Sequence, residues 1–224
     1  MDIIIITSVI NITDKPLSYT NTRSIYSHEE RFKQTMETIN SIKQYYKDYY
    51  IILVEGTELS SLWEDIIINN VDYYYNISNT HYKKYIDSLS KGLGEVSILL
   101  AYLTSNHFIK NKDNINSISK LSGRYKLTND FINIKDYLID NKIIVYKNIQ
   151  HNLINTTWFC FRIDEVNNFI NILQNSFNNQ KLVFGKYSIE NYLYDNWIIN
   201  NQYKHIDKIG IEGYVSVCGS KYTI

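Results

Sequence analysis

The chain has little of what stiffens or cross-links a protein. Among 224 residues it carries a single proline, Pro16, eight glycines and two cysteines. Cys160 and Cys218 give neither zinc-ligand spacing nor a disulfide framework. Cys160 stands inside the apolar run Trp158-Phe159-Cys160-Phe161 and reads as inert packing. A reducing, cytoplasmic setting is the expectation. No apolar run is long enough to span a bilayer, and the start lacks the basic segment and cleavage site of a secretory leader. Any membrane association is therefore expected to be peripheral. Charge of one sign is lacking too. Lys plus Arg and Asp plus Glu both number 23, so the formal net charge is zero. That argues against a broad basic surface for nucleic acid, while leaving room for a local basic pocket. The histidines His28, His81, His107, His151 and His205 are scattered without ligand spacing and read as non-catalytic.

What the chain does have is Ile, Asn, Lys and Tyr, with 21 tyrosines. This composition matches the codon bias of an AT-rich genome and carries no chemistry. Its hydrophobic share of 44% is ample for a core. Residues 3–6 are four consecutive isoleucines with no polar alternation, the pattern of a strand buried on both faces in a parallel sheet. A polar loop follows over residues 11–27. Ser27-His28-Glu29-Glu30 then reads as a capping box, and Phe32, Met36, Ile39 and Ile42 follow at helical spacing. Residues 50–54 are a second buried strand, ending at Glu55-Gly56-Thr57. A strand–helix–strand unit of this kind is expected to be a right-handed crossover.

The alternation continues. Residues 63–69 and 91–103 read as helices, and 72–77, 115–121, 142–146 and 156–162 as strands. Asp164 is the expected N-cap of a helix over 165–175. Ser188 opens another helix running to Trp197, and 206–217 reads as extended. No linker, repeat or low-complexity block interrupts this order. The expectation is one α/β domain over residues 1–224, a three-layer α/β/α sandwich with a mostly parallel sheet.

Ligands of open α/β sheets bind at the carboxyl ends of strands. Three polar groups fall there: Thr7 and Ser8; Glu55, Gly56 and Thr57; and Lys120, Gly123 and Arg124. Glycine permits a tight turn or a close approach to a ligand, and a guanidinium clamps phosphate oxygens with a planar fork. A phosphate-bearing ligand fits this pattern; so does a surface turn whose arginine pairs with a carboxylate. Arg23 stands in the loop after the first strand and is a candidate to reach a nucleotide. Arg31 is expected to pair on the helix surface. Glu55 is a candidate acceptor for a base or ribose. Trp158, Phe159 and Phe161 are expected in the core.

In element order, nearly the whole chain resembles the GT-A-type glycosyltransferases, the nucleotide-sugar transferases of polysaccharide gene clusters and large DNA viruses. Leu53-Val54-Glu55-Gly56-Thr57 resembles the acid-plus-glycine turn that contacts the base in that family. Lys91-Gly92-Leu93-Gly94-Glu95 resembles the glycine-bearing start of the helix before the diphosphate strand. Lys120-Leu121-Ser122-Gly123-Arg124-Tyr125 resembles an element that takes the place of the D-x-D metal motif, and Ile189-Glu190-Asn191 the helix start bearing the catalytic carboxylate. No D-x-D triplet occurs in the chain.

The resemblance implies transfer of a sugar from a nucleoside-diphosphate donor to a hydroxyl of a glycan or other acceptor, in glycan or polysaccharide synthesis. It implies Thr7, Ser8, Arg23, Glu55, Lys91, Lys120, Gly123 and Arg124 on the donor. Glu190 would be the base, with Asp195 and Glu212 as alternatives. A carboxylate near a helix N-terminus is expected to stay ionised. The glycine-flanked Glu212 segment would be a lid. Without D-x-D, either Lys120 and Arg124 offset the phosphate charge without metal, or Asp130 holds a magnesium or manganese ion. A viral member would work in the host cytoplasm. A nucleotidyltransferase and a catalytically decayed sugar- or nucleotide-binding module are the rival readings. The first normally shows a glycine-rich loop after the first strand, and residues 8–15 contain no glycine.

Overall fold

The computed structural model describes residues 1–132, 134–148 and 153–224, with residues 147–148 as backbone alone; His151 lies outside the described residues. Strand β1 (Asp2–Ser8) and strand β2 (Tyr49–Glu55) pair in parallel, Ile3 opposite Tyr50 and Thr7 opposite Val54. Ile3 and Ile5 enter the core on one face of the sheet, Ile4 and Ile6 the core on the other. That is the period-two alternation of a strand covered on both sides. Helix α1 (His28–Tyr45) joins them and starts at the expected capping box. Ser27 Oγ accepts from Glu30 N at 3.2 Å, and Glu30 Oε2 accepts from Ser27 N at 2.8 Å.

Helix α2 (Ser61–Ile68) leads to β3 (Tyr73–Asn76), parallel to β2. Helices α3 (Lys83–Ile86), α4 (Lys91–Leu103) and α5 (Asn106–Asn111) then carry the chain to β4 (Ser117–Ser122), which pairs in parallel with the other side of β1. Strand β5 (Tyr125–Leu127) and helix α6 (Lys135–Leu138) precede β6 (Ile143–Asn148) and β7 (Leu153–Arg162). Strand β7 runs antiparallel to both β4 and β6. Helices α7 (Val166–Ser176), α8 (Gln180–Val183) and α9 (Ile189–Leu193) follow. Strand β8 (Tyr203–His205) lies parallel to β6; β9 (Ile211–Tyr214) and β10 (Lys221–Thr223) join β5 in a second sheet.

The central sheet has the order β3-β2-β1-β4-β7-β6-β8. This is the expected α/β architecture with a mostly parallel sheet between helical layers. The chain leaves β1 toward β2 on one side and returns to β4 on the other. Loops after β1 and β4 therefore diverge and open a crevice at the carboxyl edge. Trp158, Phe159, Cys160 and Phe161 are fully buried, as expected, and Trp197 packs edge-on against Phe159 and Phe161.

Several local expectations are corrected. Asp164 does not cap α7. It accepts from Arg162 Nη2 at 2.8 Å, and a 3-10 turn over Ile163–Glu165 precedes the helix. The helix opened by Ser188 is regular only to Leu193 and widens into a π-helical turn over Tyr194–Ile198. The Glu212 segment is no lid. It is the middle strand of the second sheet, paired to β5 and β10, so its backbone hydrogen bonds hold it in place. Arg31 is 5% exposed and turns inward rather than along the helix surface.

Candidate active site

The crevice begins at Gly123. Its N–H donates to Thr7 O at 2.9 Å, tying the turn after β4 to the end of β1. A Cβ at this position would lie 3.3 Å from Thr7 O and 3.4 Å from Thr35 Oγ1, so a side chain would press the turn away from β1. The close approach carries the next residue, Arg124, into the crevice, where its Nε is buried without a hydrogen-bond partner. Lys91, at the start of α4, enters from the opposite wall and donates to Ser216 Oγ at 2.7 Å. Burial, with Arg124 and Arg31 close by, pulls its ammonium down to about 7. Arg31 lies beneath, donating through Nε to Val9 O at 2.7 Å and through Nη1 to Ser24 Oγ at 3.2 Å.

These cations surround a cavity with two arms. The main arm encloses about 420 Å³ and is walled by α4, the start of β7, the start of α9 and the segment before β10. The narrower arm, about 80 Å³, runs between the end of β1 and α4. Lys91, Glu95, Ser122, Arg124 and Ser216 belong to both.

Glu190 lines the main arm and accepts from Thr156 Oγ1 at 3.0 Å. Burial, and then the nearby Glu95, push its carboxyl above the usual range. Desolvation and a like charge outweigh the backbone N–H and hydroxyl groups at the helix start that favour the anion. Glu95 is the functional candidate that sequence reasoning missed. It stands four residues after Lys91 on α4, so both side chains share one helix face. The Gly94 between them carries no side chain to mark that face as functional.

Other expectations part company with the geometry. Lys120 has no exposed surface; its ammonium donates to Glu95, to Ser122 Oγ at 2.8 Å and to Thr156 O. It lies under the cavity floor and has no free donor for a phosphate. Burial pulls it down, with Glu95 opposing. Glu55 is also fully buried. Its Oε1 accepts from Ile10 N at 3.0 Å, from Thr57 N at 2.9 Å and from the Thr57 hydroxyl, so it clamps two loops together and does not face the cavity. Burial pushes its carboxyl up. Arg23 walls the narrow arm, but its guanidinium is spent on Lys15 O, Ile86 O and Ser88 O. Thr7 reaches the narrow arm, whereas Ser8 sits behind it against Thr35.

The remaining carboxylates lie elsewhere. Asp130 is exposed and paired with Lys208 at 2.9 Å; Asp195 is exposed and accepts from the Tyr187 hydroxyl. Glu212 pairs with Lys126 at 3.2 Å and Lys221 at 2.9 Å in an outer groove. Among the described residues no three His, Cys, Asp or Glu side chains gather as metal ligands. The cavity's own carboxylates are Glu95, held by Lys120, and Glu190 in the main arm, with Asp87, paired to Lys83 at 3.3 Å, in the narrow arm. Hard divalent cations take several oxygen ligands, so this donor set does not fit a resident magnesium or manganese ion.

No family model and no curated protein matches the chain by sequence. Solved structures that it resembles include GT-A-type glycosyltransferases. The glycosyltransferase GlyE of Streptococcus pneumoniae TIGR4 superposes with a TM-score of 0.51 at 10% identity, over 92% of this chain and 45% of GlyE. The bifunctional glycosyltransferase WbbM superposes with a TM-score of 0.53 at 11% identity, over 92% of this chain and 38% of WbbM. Mouse xyloside xylosyltransferase 1 superposes with a TM-score of 0.52 at 9% identity, over 92% of this chain and 84% of the enzyme. The chain thus spans less than half the length of GlyE and WbbM. At these identities the likeness is one of fold, and the fold is that of the GT-A glycosyltransferases.

Proposed function

We propose that this protein transfers a sugar from a nucleoside-diphosphate donor to a hydroxyl of a glycan acceptor. One observation carries the reading: Lys91 and Arg124 face Glu190 across one cavity at the carboxyl edge of the sheet. In the reaction the bond between the anomeric carbon and the diphosphate oxygen breaks, and a bond to the acceptor oxygen forms. Charge grows on the leaving diphosphate, and cations placed there stabilise the transition state more than the ground state. The acceptor's proton passes to the Glu190 carboxylate. A raised proton affinity suits that task, because a base works best when its pKa approaches the operating pH.

The donor's nucleoside end is wider than the narrow arm. The loop after β1 therefore parts from residues 86–88 on binding, giving up the Arg23 hydrogen bonds. Lys91 and Arg124 take the place of a divalent ion. The test is a thermal-shift screen of nucleoside diphosphates and their sugar conjugates, with and without manganese, followed by transfer assays with the donors that stabilise the protein. Stabilisation by a nucleoside diphosphate but not by its nucleoside supports the reading. Absence of any response across the screen defeats it. Stabilisation without turnover favours a sugar- or nucleotide-binding module.

A further inference from the structure

Lys120 touches both carboxylates of the main arm, one directly and one through a neighbour. Its buried ammonium pairs with Glu95 and also donates to Thr156 O. The hydroxyl of the same Thr156 donates to Glu190 Oε1 at 3.0 Å. Glu95 and Glu190 line one cavity, yet only Glu95 has a fixed countercharge. Two carboxylates in one desolvated site do not ionise equally, and the one without a cation holds its proton longer.

We propose that Lys120 and Glu95 form a fixed positioning pair beneath Glu190, which leaves Glu190 as the proton carrier of the main arm. Lys120 touches no substrate in this arrangement; it acts through Glu95 and Thr156. The groups facing Glu190 are Glu95 and Lys91 from α4, Lys120 from β4, Thr156 from β7, Tyr19 from the loop after β1, and Arg124 from the turn after β4. Lys91, Arg124 and the exposed Lys186 are the cations that line the main arm. When an anionic ligand neutralises them, Lys120 stays committed to Glu95, and Glu190 becomes more basic. Ligand binding and readiness to take a proton are thereby coupled. Use of that proton rests on the glycosyl-transfer reading; the division of roles does not.

The experiment is a carboxyl-carbon NMR titration of the protein with labelled glutamate, with Glu190→Gln and Glu95→Gln supplying the assignments. In the parent protein Glu190 is expected to titrate above the ordinary carboxylate range. Glu95→Gln should lower the Glu190 midpoint by about one pH unit, a tenfold change in proton affinity. Lys120→Met should raise the Glu190 midpoint further, a response that a merely structural lysine would not produce. If Lys120→Met does not fold, Glu95→Gln decides alone. The proposal is overturned if Glu95→Gln leaves the Glu190 midpoint where it was. Inactivity with every donor would count against sugar transfer and leave the response of the Glu190 midpoint standing.

Discussion

Gly92 of α4 and Ile189 of α9 touch so closely that a Cβ on Gly92 would sit 2.7 Å from the Cβ of Ile189. The next residue after Ile189 is Glu190. The missing side chain at position 92 is therefore what lets the start of α9 settle against α4 and bring Glu190 into the cavity that holds Lys91 and Glu95. Gly92→Ala should force the two segments apart. The expected outcome is a loss of about 1–3 kcal/mol of stability, typical of overpacking, together with a fall in transfer rate larger than any fall in donor affinity. Denaturant melts and kinetics on one purified variant check both. A variant as active as the parent would mean that the contact does not place Glu190.

Arg124 has a buried Nε with no partner of its own, so its guanidinium is free to serve a ligand. Arg124→Ala should weaken nucleoside-diphosphate binding by roughly 1.5–3 kcal/mol, the range for a hydrogen bond to a charged group. Binding of the bare nucleoside should change little. Calorimetric titration of the two ligands tests this, and equal losses would assign Arg124 a structural role.

Lys91 ties pH to both stability and binding. Its ammonium is lowered from 10.5 to about 7 in the folded protein, so folding favours the neutral amine. The stability it contributes is complete above the unfolded value and is lost as pH falls from 10.5 toward 7, with no further loss below. Diphosphate favours the charged form. Above pH 7, binding must then take up a proton, and affinity should decline by up to about tenfold per pH unit. Lys91→Met should flatten that decline. Titrations from pH 6.5 to 8.5 in buffers of different ionisation heat measure the proton uptake; a profile equally steep in Lys91→Met would reject the assignment.

Glu190 runs in the opposite sense. A carboxyl whose folded pKa is raised is favoured protonated, so its contribution to stability is present at low pH and lost as pH rises through the folded value. Glu190→Gln should therefore melt increasingly above the parent as pH rises from the ordinary carboxylate range through the folded value. Its transfer rate should fall by about 10²-fold or more, as for loss of a general base, while donor affinity holds. Full activity in Glu190→Gln would move the base to another group, with Glu95 next in position.

The sheet was legible in the sequence because its signals are local. Four isoleucines from position 3, the run at 51–54 and the Ser27–Glu30 capping box each report a backbone state set by neighbours in the chain. The glycine turn at Gly123 and the arginine after it were legible for the same reason. Lys120 was not. A lysine in Ile118-Ser119-Lys120-Leu121-Ser122 reads as a cation at a strand end. Its burial follows from β7 covering one side of β4 and from Glu95 arriving on α4, 25 residues earlier in the chain. Glu55 misled in the same way, since the acid at the end of β2 meets its donors, Ile10 and Thr57, only when two loops fold together.

The sequence by itself determined the main sheet strands and the longer helices, that both faces of the sheet are covered, and that a glycine turn delivers a cation to the carboxyl edge. These follow from periodicity, capping and backbone sterics, which act over a few residues. Only the tertiary structure decided which charged groups stay open to a ligand. Lys91, Arg124 and Glu190 face a cavity; Lys120, Glu55 and Arg23 spend their hydrogen bonds on the protein itself. The physical reason is that desolvation and countercharge depend on what the rest of the chain brings within a few ångströms. Residues of the same type, equally close to a strand end, therefore part into ligand-facing and structural roles only once the chain has closed around them.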